Sequence, residues 1–172
     1  MTAHTLILGL GNPLMADDGA GIQVAELLRQ EPLPAEVEIQ DGGTAGLGLV
    51  PQLANYRRVI LIDCVRFGGR PGDWRRFALQ ETELLGKAGT LSLHHASLRD
   101  ALLLAEALEM LPPEVIIYGV QPERVEWDHP MSSDVAAALP LIAQAVLDEV
   151  TTHSPVHATS PGTRLAPSQI SE

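Results

Sequence analysis

The stretch Leu6 to Gly21, LILGLGNPLMADDGAG, constrains the chain more than any other. Its apolar opening reads as a parallel strand buried on both faces, Gly11-Asn12-Pro13 ends that strand in a turn, and a helix starts at Asp17 and Asp18. Two carboxylates therefore stand at the carboxyl end of the first strand. In an open α/β sheet, ligands bind along that edge, near the point where the strand order reverses.

A glycine-rich turn between strand and helix can also cradle a phosphate on backbone amides. The spelling here argues against it. Gly9 to Leu14 reads G-x-G-x-x-L, which lacks the third glycine, and Pro13 removes an amide donor. Asp17 and Asp18 put negative charge where the phosphate would sit, although both suit a helix N-terminus. A helix cap accounts for one of them, Asp17, and leaves Asp18 to be explained.

Further along, strands and helices alternate. Strands are expected at residues 4–10, 36–40, 59–62 and 114–121, and helices at 19–30, 47–56, 98–111 and 133–150, the last kinked near Pro140. Phe67 to Leu79 reads as a turn followed by a short extended edge piece, and residues 81–89 as a surface loop or short helix. This order predicts an α/β three-layer sandwich, with helices on both faces of a mainly parallel, twisted central sheet. One domain is expected over residues 1–150. Residues 151–172, rich in Ser, Thr and Pro, are expected to be a disordered tail, and Pro155 rules out a helical metal site at His153 and His157.

A formal net charge of -11 disfavours nucleic-acid and anionic-membrane partners and is compatible with a cationic one. Cys64 is the only cysteine, which excludes an internal disulfide and points to a reducing cytoplasm. No apolar run approaches the ~18 residues of a spanning helix.

With a flavodoxin-like strand order, the first and third strands flank the switch point, so Asp18 and Asp63 face one cleft, and His94 precedes a helix that must return to the same edge. Two carboxylates and an imidazole suit a borderline divalent ion such as nickel, zinc, copper or iron, with positions left open for substrate or water. The plainer readings are a turn-capping acid for Asp63 and an ordinary loop histidine for His94. Cys64 reads as a small buried apolar residue on the opposite side of the strand from Asp63.

Five patches in this order, GLGNPLMADDGAG, DGGTAG, ILIDCV with GGRPGDWRRF, LSLHHASLRDAL, and IIYGVQPERVEW with SSDVAAALP, resemble the nickel-iron hydrogenase maturation endopeptidases. The resemblance implies an enzyme that removes a C-terminal extension from the hydrogenase large-subunit precursor after nickel insertion. It implies metal-contacting roles for Asp18, Asp63 and His94, with His95 adjacent to the last. It further implies that Asp41, Gly42, Gly43 and Thr44 form a substrate-recognition loop. Ser97 stands where the family usually has glycine, and the tail after Val150 matches nothing. On this reading nickel arrives inside the substrate, held by its cysteines, and Asp17 is a candidate proton acceptor. Two alternatives are a peptidyl-tRNA hydrolase-like esterase, whose substrate would call for a basic surface, and a nickel-sensing maturation chaperone that does not cut.

Overall fold

A computed structural model describes residues 4–44, 46–79, 92–93 and 96–152. In chain order the elements are β1 (Thr5–Leu10), α1 (Ala20–Arg29), β2 (Val37–Gly43), α2 (Val50–Leu53), β3 (Arg58–Arg66) and β4 (Trp74–Ala78). They continue with β5 (Ser92–Leu93), α3 (Ala96–Ala107), β6 (Glu114–Val120) and α4 (Ser133–Thr152). Short 3-10 turns, Ala16–Gly19 and Leu47–Leu49, lead into α1 and α2.

The sheet order is β2-β1-β3-β6-β4, with β5 attached to the end of β3. β2, β1, β3 and β6 run parallel, while β4 and β5 pair antiparallel. A row of four isoleucines, Ile39, Ile7, Ile60 and Ile116, lies in register across the parallel strands. On one face Leu6, Leu8, Leu61 and Ile117 pack with Leu53 of α2 and Leu98 and Leu102 of α3. On the other, Ile7, Ile60 and Ile116 pack with Val24 and Leu28 of α1 and Ile142 and Val146 of α4. Burial on both faces explains why β1 and β3 are continuous aliphatic runs with no polar alternation. The three-layer architecture is therefore the expected one.

Several boundaries differ from expectation. β3 does not stop before Asp63 but runs on to Arg66, because Cys64 still pairs with Val120 and Val65 pairs with Leu93 of β5. β2 extends through Asp41, Gly42 and Gly43, so these residues complete an edge strand and only Thr44 lies in a bend beyond it. The second helix has one regular turn, since Gly46 and Gly48 precede it and Pro51 confines it to a proline-compatible start. α3 begins two residues before the expected Leu98 and ends at Ala107, ahead of Glu109 at φ 56°. The expected loop at residues 81–89 and the tail beyond Thr152 lie outside the described residues.

At 20 residues and mean hydropathy 1.3, α4 is long and apolar enough to cross a bilayer, which sequence inspection did not anticipate. Here its apolar stripe covers the sheet instead, and Pro140 lies on the exposed side without ending the helix. The far end of α4 is held by a buried ion cluster. Glu149 accepts from Arg58 Nη2 at 2.5 Å, from Arg76 Nη2 at 2.7 Å and from the Tyr118 hydroxyl.

Burial alone would raise the Glu149 carboxyl, but hydrogen bonds from Arg76 and Tyr118 and the charges of Arg76 and Arg58 bring it below its ordinary value of 4.5. Glu149→Gln leaves Arg58 buried beside a neutral amide and is expected to cost about 3 kcal/mol in urea unfolding at pH 7. Because the folded value is depressed, this stabilisation is fully present above about pH 4.5 and is lost as pH falls through the folded value. Wild type and variant should converge there.

Candidate functional site

β1 and β3 are neighbours, and the chain leaves them in opposite directions, β1 toward β2 and β3 toward β6. Their carboxyl ends thus form the switch point, where two strand ends diverge and leave a crevice. The 3-10 turn and the start of α1 sit directly on it. A Cβ on Gly21 would lie 2.1 Å from the Ile62 carbonyl oxygen and 2.4 Å from that of Leu10, so only glycine lets the helix rest on both strand ends. Gly11, at φ +120°, faces the Asp18 carbonyl oxygen so closely that a Cβ would come within 1.8 Å of it. The glycines of the first motif therefore serve close backbone packing.

Asp17, Asp18 and Asp63 are all fully buried. Asp18 Oδ2 accepts from the Asn12 amide at 2.9 Å, and Asp63 Oδ1 accepts from the Cys64 amide at 2.8 Å. The Cys64 thiol donates across the crevice to the Asp17 carbonyl oxygen at 2.7 Å. The two residues in that contact are the immediate neighbours of Asp63 and Asp18. Asp18 and Asp63 thus each lie one residue from a contact that bridges the turn after β1 and the end of β3. Burial pushes the Cys64 thiol well up, and the charges of Asp63, Asp18 and Asp17 add to that against the opposing pull of Arg66. A thiol so disfavoured as thiolate is no nucleophile. Cys64 packs among Ile60, Ile62 and Val120, as expected of the strand face opposite Asp63.

His94 and His95 lie outside the described residues. Leu93, the residue before His94 in sequence, pairs with Val65, two positions after Asp63. Among the described residues no group of three or more His, Cys, Asp or Glu side chains is arranged to hold a metal ion. Asp41 is exposed and Gly42 half-buried on the edge strand β2, and Gly43, at φ +54°, donates to Asp41 Oδ1 at 2.7 Å. Gly11 donates to the Gly43 carbonyl at 2.8 Å, which ties this strand end to the turn before Asp18. A separate cleft of about 510 Å³ lies between Pro71–Arg75 and the first turns of α4, and neither Asp18 nor Asp63 lines it.

Sequence inspection missed the partners of Asp17. Neither the 3-10 turn nor α1 has a side-chain cap, so Asp17 does not do the capping job expected of it. Its Oδ2 instead accepts from the amides of Glu123 at 2.8 Å and Arg124 at 3.0 Å and from the Ser132 hydroxyl at 2.9 Å. Its Oδ1 accepts from the Ser132 amide at 2.7 Å. Four donors thus engage this carboxylate, three at Oδ2 and one at Oδ1. No local pattern signals such partners, which lie more than a hundred residues away.

A model of the hydrogenase maturation protease family, HycI, matches residues 22–149. The hydrogenase expression/formation protein HoxM of Azotobacter vinelandii is 34% identical over 175 residues, spanning 99% of this chain and 84% of that protein. The hydrogenase 2 maturation protease of Escherichia coli K12 is 35% identical over 123 residues, 70% of this chain and 74% of that protein. The solved structure of the hydrogenase maturating endopeptidase HybD from E. coli superposes with a TM-score of 0.75 at 31% identity, covering 88% of this chain and 93% of that one.

The packing around the first motif makes a direct test. Gly11→Ala is expected to cost about 3 kcal/mol or more, because a positive φ and a backbone clash act together. Gly48→Ala, where a Cβ meets nothing within 4 Å, should be neutral or slightly stabilising. Thermal unfolding of the two variants beside wild type measures both.

Proposed function

The chain belongs to the hydrogenase maturation protease family, and from that premise we propose that it cuts a C-terminal extension from a nickel-iron hydrogenase large-subunit precursor once nickel is in place. The observation that supports the reading is the Cys64–Asp17 contact at the switch point, made by the sequence neighbours of Asp63 and Asp18. Their carboxylate oxygens, with the imidazole of His94, make a donor set that suits a borderline divalent ion such as nickel.

The nickel belongs to the substrate, where the precursor's own cysteines hold it. Gripping that ion from a second side places the neighbouring peptide bond against this rim and makes cutting depend on a loaded precursor. An ion so placed can polarise the scissile carbonyl or activate a water. Neither Asp18 nor Asp63 has exposed surface in the free chain, so contact with a delivered ion requires the rim to rearrange as the two proteins meet. Four donors of its own chain already engage the Asp17 carboxylate, which disfavours it as the group that takes the water's proton. The strand end Asp41–Gly43, with Thr44 after it, is tied to the turn before Asp18 and offers an exposed edge for the precursor to contact. The setting is the cytoplasm, where a protein with one buried free thiol and no disulfide is at home.

Incubation with nickel-loaded and nickel-free large-subunit precursors, followed by intact-mass measurement, tests the reading. Loss of a C-terminal fragment is expected from the loaded precursor only. Asp18→Asn, Asp63→Asn and His94→Ala should each slow this cut by roughly a hundredfold or more. A precursor that binds and keeps its mass would favour a non-cutting chaperone, and equal cutting of both precursors would remove nickel from the account.

A further inference from the structure

We infer that Asp17 is a positioning residue for the cut: its carboxylate clasps the segment 122–132 to the turn that carries Asp18 and so fixes where Asp18 stands. The inference rests on the processing reading above and assigns this buried acid a place in it.

Every polar atom of Asp17 reaches a distant part of the chain. Beyond the four bonds to its carboxylate, its amide donates to the Arg124 carbonyl at 3.2 Å, and its own carbonyl accepts from Cys64 as well as from the Ala20 amide. One residue thus joins the turn after β1, the end of β3 and the segment that follows β6. These are the elements that meet at the switch point. A side chain placed only to start a helix would bond an amide of its own first turn, and this carboxylate does not.

The backbone beside it gives an independent sign. Ala16, directly before Asp17, is buried and sits at φ 52°, a left-handed conformation that strains a non-glycine residue. Such a conformation persists only where its surroundings over-determine it. The bonds of Asp17 supply that determination, and the resulting turn delivers Asp18 to the rim, where its Oδ2 is steadied by the Asn12 amide.

The chemistry of the clasp needs a carboxylate. An amide in its place has one oxygen and one NH₂, so in either orientation the NH₂ meets backbone donors, one at Oδ1 or two with a hydroxyl at Oδ2. Asp17→Asn keeps the volume and breaks the clasp. Ser132→Ala removes one hydroxyl donor and leaves three bonds in place.

The test combines kinetics on the nickel-loaded precursor with amide hydrogen exchange on the full chain. Per folded molecule, as counted by urea unfolding, Asp17→Asn should lower kcat about tenfold or more with KM within about twofold. Ser132→Ala should lower kcat by a few-fold, and the double variant should be no slower than Asp17→Asn alone, since both changes break one clasp. Exchange at the amides of Glu123, Arg124 and Ser132 should quicken in Asp17→Asn while Ile60 and Ile116 in the central strands keep their protection. A general loss of structure would not produce that split. Unchanged kcat per folded molecule in Asp17→Asn overturns the inference, as do kcat losses that simply multiply in the double variant. A wild-type protein that leaves the loaded precursor uncut overturns the processing reading itself, and the inference falls with it. The exchange data then still show whether the clasp holds.

Discussion

The seating of one turn on two strand ends governs the rest of this structure. α1 begins where the carbonyls of Leu10 and Ile62 emerge, and Gly21 lets its backbone come that close. Gly11 gives the returning chain room against Asp18, and the Cys64 thiol closes the crossing with a bond to Asp17. The topology supplies the crevice, and the glycines decide how closely the turn after β1 can be seated on it.

Buried charge is handled in two different ways. Near the carboxyl end of α4, Glu149 is surrounded by Arg58, Arg76 and Tyr118, so that its charge is balanced and the helix is fastened to the sheet. At the switch point the charges of Asp63, Asp18 and Asp17 push the buried Cys64 thiol up, against the opposing pull of Arg66. A concentration of like charge in a dry place is costly unless something cationic or richly hydrogen-bonding faces it. Asp17 is satisfied by four donors of its own chain. Asp18 and Asp63 are engaged as well, by the amides of Asn12 and Cys64.

The layered architecture and most elements were legible because strands buried on both faces are long aliphatic runs and helices repeat at their own period. The adjacency of β1, which Asp18 follows, and β3, which carries Asp63, was legible from strand order, which a parallel α/β pattern restricts to a few choices. The extension of β3 past Asp63 was hidden, since its pairing partner is the two-residue strand Ser92–Leu93 far along the chain. β2 ran on through two glycines that look like turn residues in isolation; beside β1, Gly42 is needed because a side chain there would strike Leu8 and Leu10. The clasp of Asp17 left no trace at all in local pattern. A pair of aspartates announces surplus charge, but the amides that absorb it belong to residues 123–132, and backbone donors carry no sequence signature.

The most direct measurement is X-ray absorption at the nickel edge of the loaded precursor, frozen alone and again after brief mixing with this protein. If Asp18 and Asp63 converge on the delivered ion, light oxygen or nitrogen neighbours join the nickel's sulfur shell in the mixture, and Asp63→Asn reduces them. A nickel environment that stays the same on mixing, while the extension is still removed, would contradict the claim that these acids grip the metal.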